Sequence, residues 1–247
     1  MNTKYKISLY LLIIVSIITN TSCSIKKKEN LGEVKKIELN NIKKFKDIYV
    51  DCGAIINIIH GNKYSISVEG YQKDINSLKA KVKNDILNLT INESNQLSQI
   101  HEMSFNWLDS NKLKIYITIP NLHNITINGN ADVKIKKFIN ESNVNLNIDG
   151  NSCINIDYLT TKEIGIKING NSNLDINNLT ANKSFFYILG NSFIKTNFVN
   201  SGEVNIDITG NSEIILSGTT QQKPSFDANG NVNINDKTQR IKSNKLN

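Results

Sequence analysis

Two aspartates, Asp207 and Asp227, are the strongest candidates for site chemistry in this sequence. They lie 20 residues apart, and a repeat of that length, described below, predicts that they occupy neighbouring strands about 4.8 Å apart. Two carboxylates at this distance can bind a cation, or one of them can have a raised pKa. Because no base or further ligand recurs beside them, we favour the simpler interpretation of two solvated surface acids.

The three histidines do not extend this pair into a catalytic site. His60, His101 and His123 are isolated from one another in the sequence, and each is interpreted as a surface or packing residue. The motifs of serine hydrolases, zinc proteases and P-loop proteins do not occur. The sequence therefore predicts a protein that is not an enzyme and uses no cofactor, with a polysaccharide-active enzyme as the alternative.

The first of the three cysteines lies in a segment that predicts export. Two lysines precede an apolar run over residues 7–18, and Cys23 follows small polar residues in a pattern similar to a bacterial lipobox. We predict a lipoprotein signal peptide over residues 1–22, a lipidated Cys23 and a tether over residues 23–45. The lipid would anchor the protein to the outer membrane of a cell envelope, on its periplasmic or its surface side. An ordinary cleaved signal is the alternative.

The other two thiols, Cys52 and Cys153, are 101 residues apart. The sequence is compatible with a disulfide between these two cysteines and also with two free thiols. No CxxC motif or Cys/His cluster is present, so the sequence predicts no metal site.

The net charge of +7 is concentrated at the two ends of the chain. Residues 1–45 carry nine lysines and three glutamates, a net charge of +6, and residues 236–247 have a net charge of +3. Residues 46–235 carry sixteen lysines and eighteen acidic residues, a net charge of −2. Because no basic body remains to contact phosphates, nucleic acid is not an expected partner. Residues 236–247 are interpreted as a basic, disordered tail.

A Gly-Asn pair recurs six times at intervals of 21, 20, 20, 20 and 20 residues. The members of this repeat are Gly129, Asn130, Gly150, Asn151, Gly170, Asn171, Gly190, Asn191, Gly210, Asn211, Gly230 and Asn231. Apolar residues alternate with polar ones on both sides of each glycine, and the alternation passes through the glycine unbroken. A repeat of fixed length with this pattern predicts a β-solenoid, in which each repeat is one coil and equivalent strands stack in parallel.

The repeat also predicts how the corner of each coil is built. We expect the glycines to face inward at a bend with positive φ, and the asparagines to tolerate the left-handed region. A second apolar column, Phe138, Leu159, Leu179 and Val199, is expected to face inward after a further corner. Leucine-rich repeats have a similar period, but the residues after each asparagine alternate as a second strand and leave little room for a helix.

The segment before the repeat is strand-like but lacks the period. Residues 46–91 and 112–119 read as strands, with one short helix or strand at the start of "INSLKAKVKNDILNLTIN". Residues 93–111 are expected to form a loop over the end or side of the solenoid. These strands are predicted to form irregular first coils that cover one end of the core. At the other end, Pro224 and the fading pattern after Ile234 mark where the stack should close.

The opening segment "FKDIYVDCGAIINIIHGNKYSISVEG" and the serial "INGN", "IDGN", "INGNS" and "ITGNS" blocks resemble the head GIN domain family of auto-transporter adhesins, common in Bacteroidetes. The resemblance covers residues 46–235. It implies a right-handed parallel β-helix-like fold on a cell-envelope lipoprotein, with an adhesive function. It implies no catalytic residue.

Stacked coils present long flat faces rich in asparagine, serine and threonine, which are suited to a glycan or a protein ligand. Tyr187 and Phe193 project outward from one repeat and can stack on a sugar ring or a partner, and with Asp207 and Asp227 they form the predicted ligand-binding set. A structural envelope module that forms homo-oligomers through a terminal coil is the remaining alternative.

Overall fold

Strands that alternate buried and exposed side chains make up most of the protein. The computed structural model describes residues 32–91, 112–140 and 142–241. In these residues lie one short helix, α1 (Gln72–Ser77), and eighteen strands: β1 (Val34–Glu38), β2 (Asp47–Asp51), β3 (Ile55–His60), β4 (Ser65–Tyr71), β5 (Leu78–Lys83), β6 (Ile86–Ile91), β7 (Lys114–Ile119), β8 (Asn124–Asn128), β9 (Asp132–Ile135), β10 (Phe138–Ile139), β11 (Val144–Gly150), β12 (Cys153–Ile156), β13 (Leu159–Gly170), β14 (Asn173–Gly190), β15 (Phe193–Ser201), β16 (Glu203–Thr220), β17 (Ser225–Asp236) and β18 (Gln239–Arg240).

From β8 onward the chain winds as a β-solenoid, which confirms the predicted fold class. Each coil contributes to three parallel faces: face 1 holds the strand before each Gly-Asn pair, face 2 the strand after it, and face 3 a short strand that returns to face 1. On face 1, Leu146 pairs with Ile125 and with Ile166. On face 2, Ile154 pairs with Val133 and with Leu174. Equivalent residues of successive repeats therefore lie side by side.

The core of the solenoid consists of columns of like residues. Ile127, Ile148, Ile168, Ile188 and Ile208 stack on face 1, and each is at most 2% exposed. Each fully buried side chain of this size contributes about 1.5–3 kcal/mol to stability. Because every coil repeats the same contacts, each isoleucine of this column is buried by its equivalents in the neighbouring coils.

The predicted third column is correct except at its last member. Phe138 pairs with Leu159, and Leu159 with Leu179, on face 3. The next partner is Phe198 rather than Val199, because the register shifts between β14 and β15. Phe198 is 1% exposed, so the larger ring fills the core at this coil.

The glycine at each corner is required by the coil before it. Gly150, Gly170, Gly190 and Gly210 have φ between +124° and +139°. A Cβ atom on Gly170 would overlap the carbonyl oxygen of Gly150 and lie 3.1 Å from its carbonyl carbon. The positive φ expected at these glycines is confirmed, and the four glycines are half buried. The collision that excludes a side chain is with the backbone of the preceding coil.

The asparagines after these glycines form a ladder along the outside of the corner. Asn171 donates from Nδ2 to Oδ1 of Asn151 at 3.1 Å, Asn191 to Asn171 at 2.9 Å, and Asn211 to Asn191 at 3.0 Å. None of these residues has positive φ, so the predicted left-handed backbone is wrong. Their role is the side-chain amide, which bonds its equivalent one coil away.

The serines two residues after each glycine provide hydrogen bonds inside the corner. The Ser172 hydroxyl accepts from the backbone N–H of Ser152 at 3.2 Å and donates to the carbonyl of Gly150 at 3.0 Å. Ser152 and Ser172 are 5% and 2% exposed. The serine hydroxyl thereby pairs buried backbone groups that would lack a hydrogen-bond partner at the sharp turn.

The N-terminal end of the stack does not follow the order of the chain. On face 1, β2 lies between β6 and β8, and on face 2, β3 lies between β7 and β9, all in parallel. Outside them, β4 pairs antiparallel with β7, β1 with β4, and β5 with β6. Residues 93–111, predicted to form a loop, lie outside the described residues. The irregular first coils are present, and antiparallel strands extend them.

The C-terminal end differs from its prediction. Pro224 precedes β17 rather than ending the stack, and β17 pairs in parallel with β16 along its whole length. Residues 239–240, predicted to be part of a disordered tail, form β18 and pair with Thr219 and Thr220. Residues 242–247 of that tail lie outside the described residues.

Candidate functional site

Three of the four residues predicted to bind a ligand lie together on face 1. Tyr187 pairs with Asp207, and Asp207 with Asp227, so their side chains point outward from three successive strands, β14, β16 and β17. Neighbouring strands are about 4.8 Å apart. The column places an aromatic ring beside two carboxylates.

A second aromatic ring, which was not predicted from the sequence, lies in this place. Phe185 is two residues before Tyr187 and points outward from the same strand; the two residues are 43% and 41% exposed. The neighbour of Phe185 on the preceding coil is Gly165, which has no side chain to cover the ring. Outward alternation in "FFYILG" was the signal that could have identified it.

The two rings and the two acids line an open groove of about 370 Å³. Its lining residues are Phe185, Phe186, Tyr187, Asn205, Ile206, Asp207, Ser225, Phe226 and Asp227. The groove extends to β17 and therefore reaches the C-terminal end of the stack.

Local contacts hold the polar part of the groove in place. Asn205 donates to Oε1 of Glu203 at 2.7 Å and accepts from the hydroxyl of Ser225. In the described part of the chain, neither Asp207 nor Asp227 takes part in an ion pair. Both carboxylates are therefore available as hydrogen-bond acceptors for a ligand.

The fourth predicted residue, Phe193, is not part of the groove. It begins β15 on face 2, where it pairs with Asn173 and Glu213, and it is half buried. Tyr187 lies on face 1, on the other side of the Gly190 corner. The repeat predicted a bend at Gly190 between the two aromatic residues, and this bend places them on different faces.

The remaining reactive side chains stay apart from one another. The His60 ring packs on Phe138 with ring centroids 4.9 Å apart, as expected for a packing histidine. His123 lines a separate polar groove of about 500 Å³ between face 3 and face 1. His101 and Cys23 lie outside the described residues. Within the described ranges, no three histidine, cysteine or acidic side chains come together as metal ligands.

The two described cysteines are free thiols. Cys52 occupies the corner position of the first coil that glycine takes in later coils. Burial, with a smaller effect of Asp51, raises its pKa to about 12, so the thiol stays protonated and unreactive at neutral pH. Cys153 is half buried on the outside of face 2.

A family match covers most of this fold. Residues 44–237 match a family described as "Putative auto-transporter adhesin, head GIN domain". The chain belongs to the head GIN domain family. The family description indicates an adhesin of the cell envelope or cell surface.

One solved structure with a TM-score of 0.50 shares the architecture of this head GIN domain. A "putative adhesin" from Bacteroides fragilis NCTC 9343 is 17% identical, with a TM-score of 0.50 over 85% of this chain and 97% of that chain. A "putative adhesin" from Parabacteroides merdae is 12% identical, with a TM-score of 0.47 over 83% and 96% of the two chains. A "Putative lipid binding protein" from Parabacteroides distasonis is 14% identical, with a TM-score of 0.43 over 83% and 97%. No curated protein is detectably similar in sequence.

An ion pair fastens the N-terminal strands of the head GIN domain. Lys114 donates to Oε1 of Glu69 at 3.0 Å, and the Tyr116 hydroxyl donates to Oε2 at 3.2 Å. The hydrogen bond from Lys114 lowers the pKa of Glu69, and the same contact raises the pKa of Lys114. Burial raises the pKa of Tyr116. The cluster joins β4 to β7 and lies far along the stack from the groove, so it is structural.

The predicted signal peptide and the predicted lipidation site Cys23 lie within residues 1–31, which are outside the described residues. Among the residues that are described, no helix combines the length and the hydropathy that a membrane span requires.

Proposed function

We propose that this protein is a non-enzymatic lipoprotein of the cell envelope that binds a glycan through the groove on face 1. The observation that supports this proposal is the pairing of two exposed rings, Phe185 and Tyr187, with two carboxylates, Asp207 and Asp227, in one groove. Family membership supports an adhesive function in general.

The chemistry of the groove suits a sugar. An exposed aromatic ring offers a flat apolar surface on which the C–H face of a sugar ring can stack. The carboxylates of Asp207 and Asp227 accept hydrogen bonds from hydroxyl groups, and charge-assisted bonds of this kind are stronger than neutral ones. A protein ligand with exposed lysine or arginine is the alternative partner, because it would use the same carboxylates.

The proposed location rests on the N-terminal sequence. A lipid on Cys23 would anchor the protein to the outer membrane without a spanning helix, and residues 23–45 would connect it to the solenoid. In cells, Cys23→Ser should move the protein from the membrane fraction to the soluble fraction. Retention of this variant in the membrane fraction would show that the anchor is elsewhere.

The binding proposal is tested with the full-length chain in detergent on an array of glycans and extracellular matrix proteins. We expect Tyr187→Ala and Phe185→Ala each to weaken binding by about tenfold, as the loss of a stacking contact of about 1.5 kcal/mol implies. Asp207→Asn should weaken binding further if hydroxyl groups or cations are bound there.

Two variants serve as matched controls. Tyr158 is 54% exposed but lies beside face 3, so Tyr158→Ala should leave binding unchanged. Phe193→Ala changes an aromatic residue on face 2 and should also have no effect. Equal losses in the groove and control variants would contradict the proposed site, and binding to proteins alone would replace the glycan with a protein partner.

A further inference from the structure

The C-terminal coil has the structure of an interior coil, but none of the described residues pairs with its outer side. Among the described residues, β17 pairs with β16 on one edge only. Phe226, Val232 and Ile234 are only partly buried there, although their equivalents on β16, namely Ile206, Ser212 and Ile214, are at most 6% exposed. The end of the core and a long row of backbone groups are therefore open to solvent.

Edge strands at the other end of the stack carry the usual protection against pairing. β1 (VKKIE) contains two lysines, and β5 (LKAKVK) contains three. Lysines on an edge strand discourage another chain from adding to the sheet. β17 (SFDANGNVNIND) contains no lysine, arginine or proline. The C-terminal edge is thus the one on which the chain permits strand addition.

We infer that the outer edge of β17 is an interface for a second copy of this chain, related by a twofold axis through Gly230. The apolar pattern of β17 is symmetric about this residue. In an antiparallel pairing centred on Gly230, Phe226 lies opposite Ile234 of the second copy, and Ala228 opposite Val232 of the second copy. Inward residues thus meet inward residues, and the two cores become continuous.

The outward residues are compatible with the same register. Asp227 lies opposite Asn233 of the second copy, and Ser225 opposite Asn235 of the second copy. No acidic residue faces another acidic residue within β17. A one-residue slip would instead place inward side chains against outward ones, because side chains alternate along a strand. The pattern therefore selects one register.

The geometry of the coil fits this symmetry. A twofold axis through the Gly230 corner exchanges face 1 with face 2, and these carry strands of similar length in β17, on either side of the corner. The contact uses the same surface of both copies, so the assembly closes at a dimer. One coil offers fewer residues than the 20–30 that each side of a standard interface contributes, so the dimer should be weak.

Sedimentation velocity of the full-length chain in detergent, between about 1 and 100 µM, tests this inference. We expect the wild type to shift from monomer to dimer in this range. Ala228 is exposed on the open end, so Ala228→Lys should fold normally while placing two like charges in the contact, and it should raise the dissociation constant at least about tenfold. Thr209→Lys, at an exposed outward position one coil inside, is the matched control and should dimerise like the wild type.

A wild type that stays monomeric at about 100 µM overturns the inference. It is also overturned if Ala228→Lys associates as strongly as the wild type, since the association would then come from the anchor or another surface.

Disulfide trapping tests the register separately. Directly opposite residues of an antiparallel pair have Cα atoms about 4.5–5.5 Å apart, which a disulfide can bridge. A mixture of Asp227→Cys and Asn233→Cys chains should cross-link on oxidation well above the level of the wild type, whose native cysteines set the background. Asp227→Cys alone should stay at background. Equal cross-linking of Asp227→Cys with itself, or none in the mixture, overturns the proposed register.

Discussion

The two ends of the solenoid core are covered to different extents. At the N-terminal end, the antiparallel strands β4 and β5 lie outside the parallel coils, and Ile115 of the outermost parallel strand β7 is fully buried. At the C-terminal end, Ile234 occupies the same core column on β17 but is only partly buried. The N-terminal end is thus covered by additional antiparallel strands, of which β1 and β5 are rich in lysine. The C-terminal end has the structure of an interior coil. A repeat specifies the interior coils of a solenoid, but the core at each end must be covered by residues outside the repeat.

The largest expected effect is at the glycine column between the two ends. Gly170→Ala adds a Cβ that overlaps the backbone of Gly150, at a residue with φ +131°. Backbone strain and overpacking together should reduce the free energy of unfolding by about 4 kcal/mol, measured by urea denaturation.

Gly129 is the matched control, because it lies where the regular stack meets the N-terminal coil. Its φ is +111°, but an added Cβ would have only Oδ1 of Asp51 nearby, at 3.9 Å. Gly129→Ala should therefore reduce the free energy of unfolding only by the cost of backbone strain, about 2 kcal/mol. Equal losses at Gly129 and Gly170 would show that contact between coils is not what requires glycine.

A smaller effect should distinguish the covered end from the open one. Ile115→Ala removes a fully buried side chain at the N-terminal end and should reduce the free energy of unfolding by about 3 kcal/mol. Ile234→Ala, in the same column at the C-terminal end, should reduce it by less than about 1 kcal/mol in dilute protein, because the side chain is partly exposed in the monomer. Similar losses in dilute protein would mean that the C-terminal end is also covered.

The smallest effect concerns the ion pair that fastens β4 to β7. The pKa of Glu69 is lowered in the folded protein, so its contribution to stability is present above its ordinary value of 4.5 and is lost as the pH falls below it. The raised pKa of Lys114 gives a contribution that is complete below its ordinary value of 10.5 and is lost as the pH rises past it.

Urea midpoints between pH 7 and pH 3 for the wild type, Glu69→Gln, Lys114→Met and the double variant measure this contribution. Either single change should reduce the loss of stability on acidification, and the double variant should show no further reduction. A loss that is unchanged in Glu69→Gln would mean that the N-terminal strands do not depend on this pair.

The sequence was sufficient to predict the coils because the Gly-Asn interval is nearly constant from Gly129 to Gly230. It was insufficient where the interval changes. Leu179 and its partner Phe198 are 19 residues apart rather than 20, so a fixed interval selected Val199 instead. In the first coils no interval exists, and the insertion of β2 between β6 and β8 cannot be derived from alternation alone.

The groove was predictable in part for the same reason. Column positions are set by the repeat, which placed Tyr187, Asp207 and Asp227 on adjacent strands. Phe185 was missed because it belongs to a second outward column two residues earlier. Phe193 was grouped with Tyr187 because both face outward, although the predicted bend at Gly190 separates them. Alternation reports whether a side chain faces in or out, but it does not report on which face of the coil the residue lies.

The position of β2 and β3 determines when the protein can fold. β2 lies between β6 and β8, and β3 lies between β7 and β9. All four of these parallel partners come later in the chain. Contacts between distant residues form slowly. A chain synthesised from its N-terminus therefore cannot complete this coil until residues up to Ile135 have left the ribosome. Until that point β2 and β3 lack part of their parallel partners, so this coil forms late in synthesis.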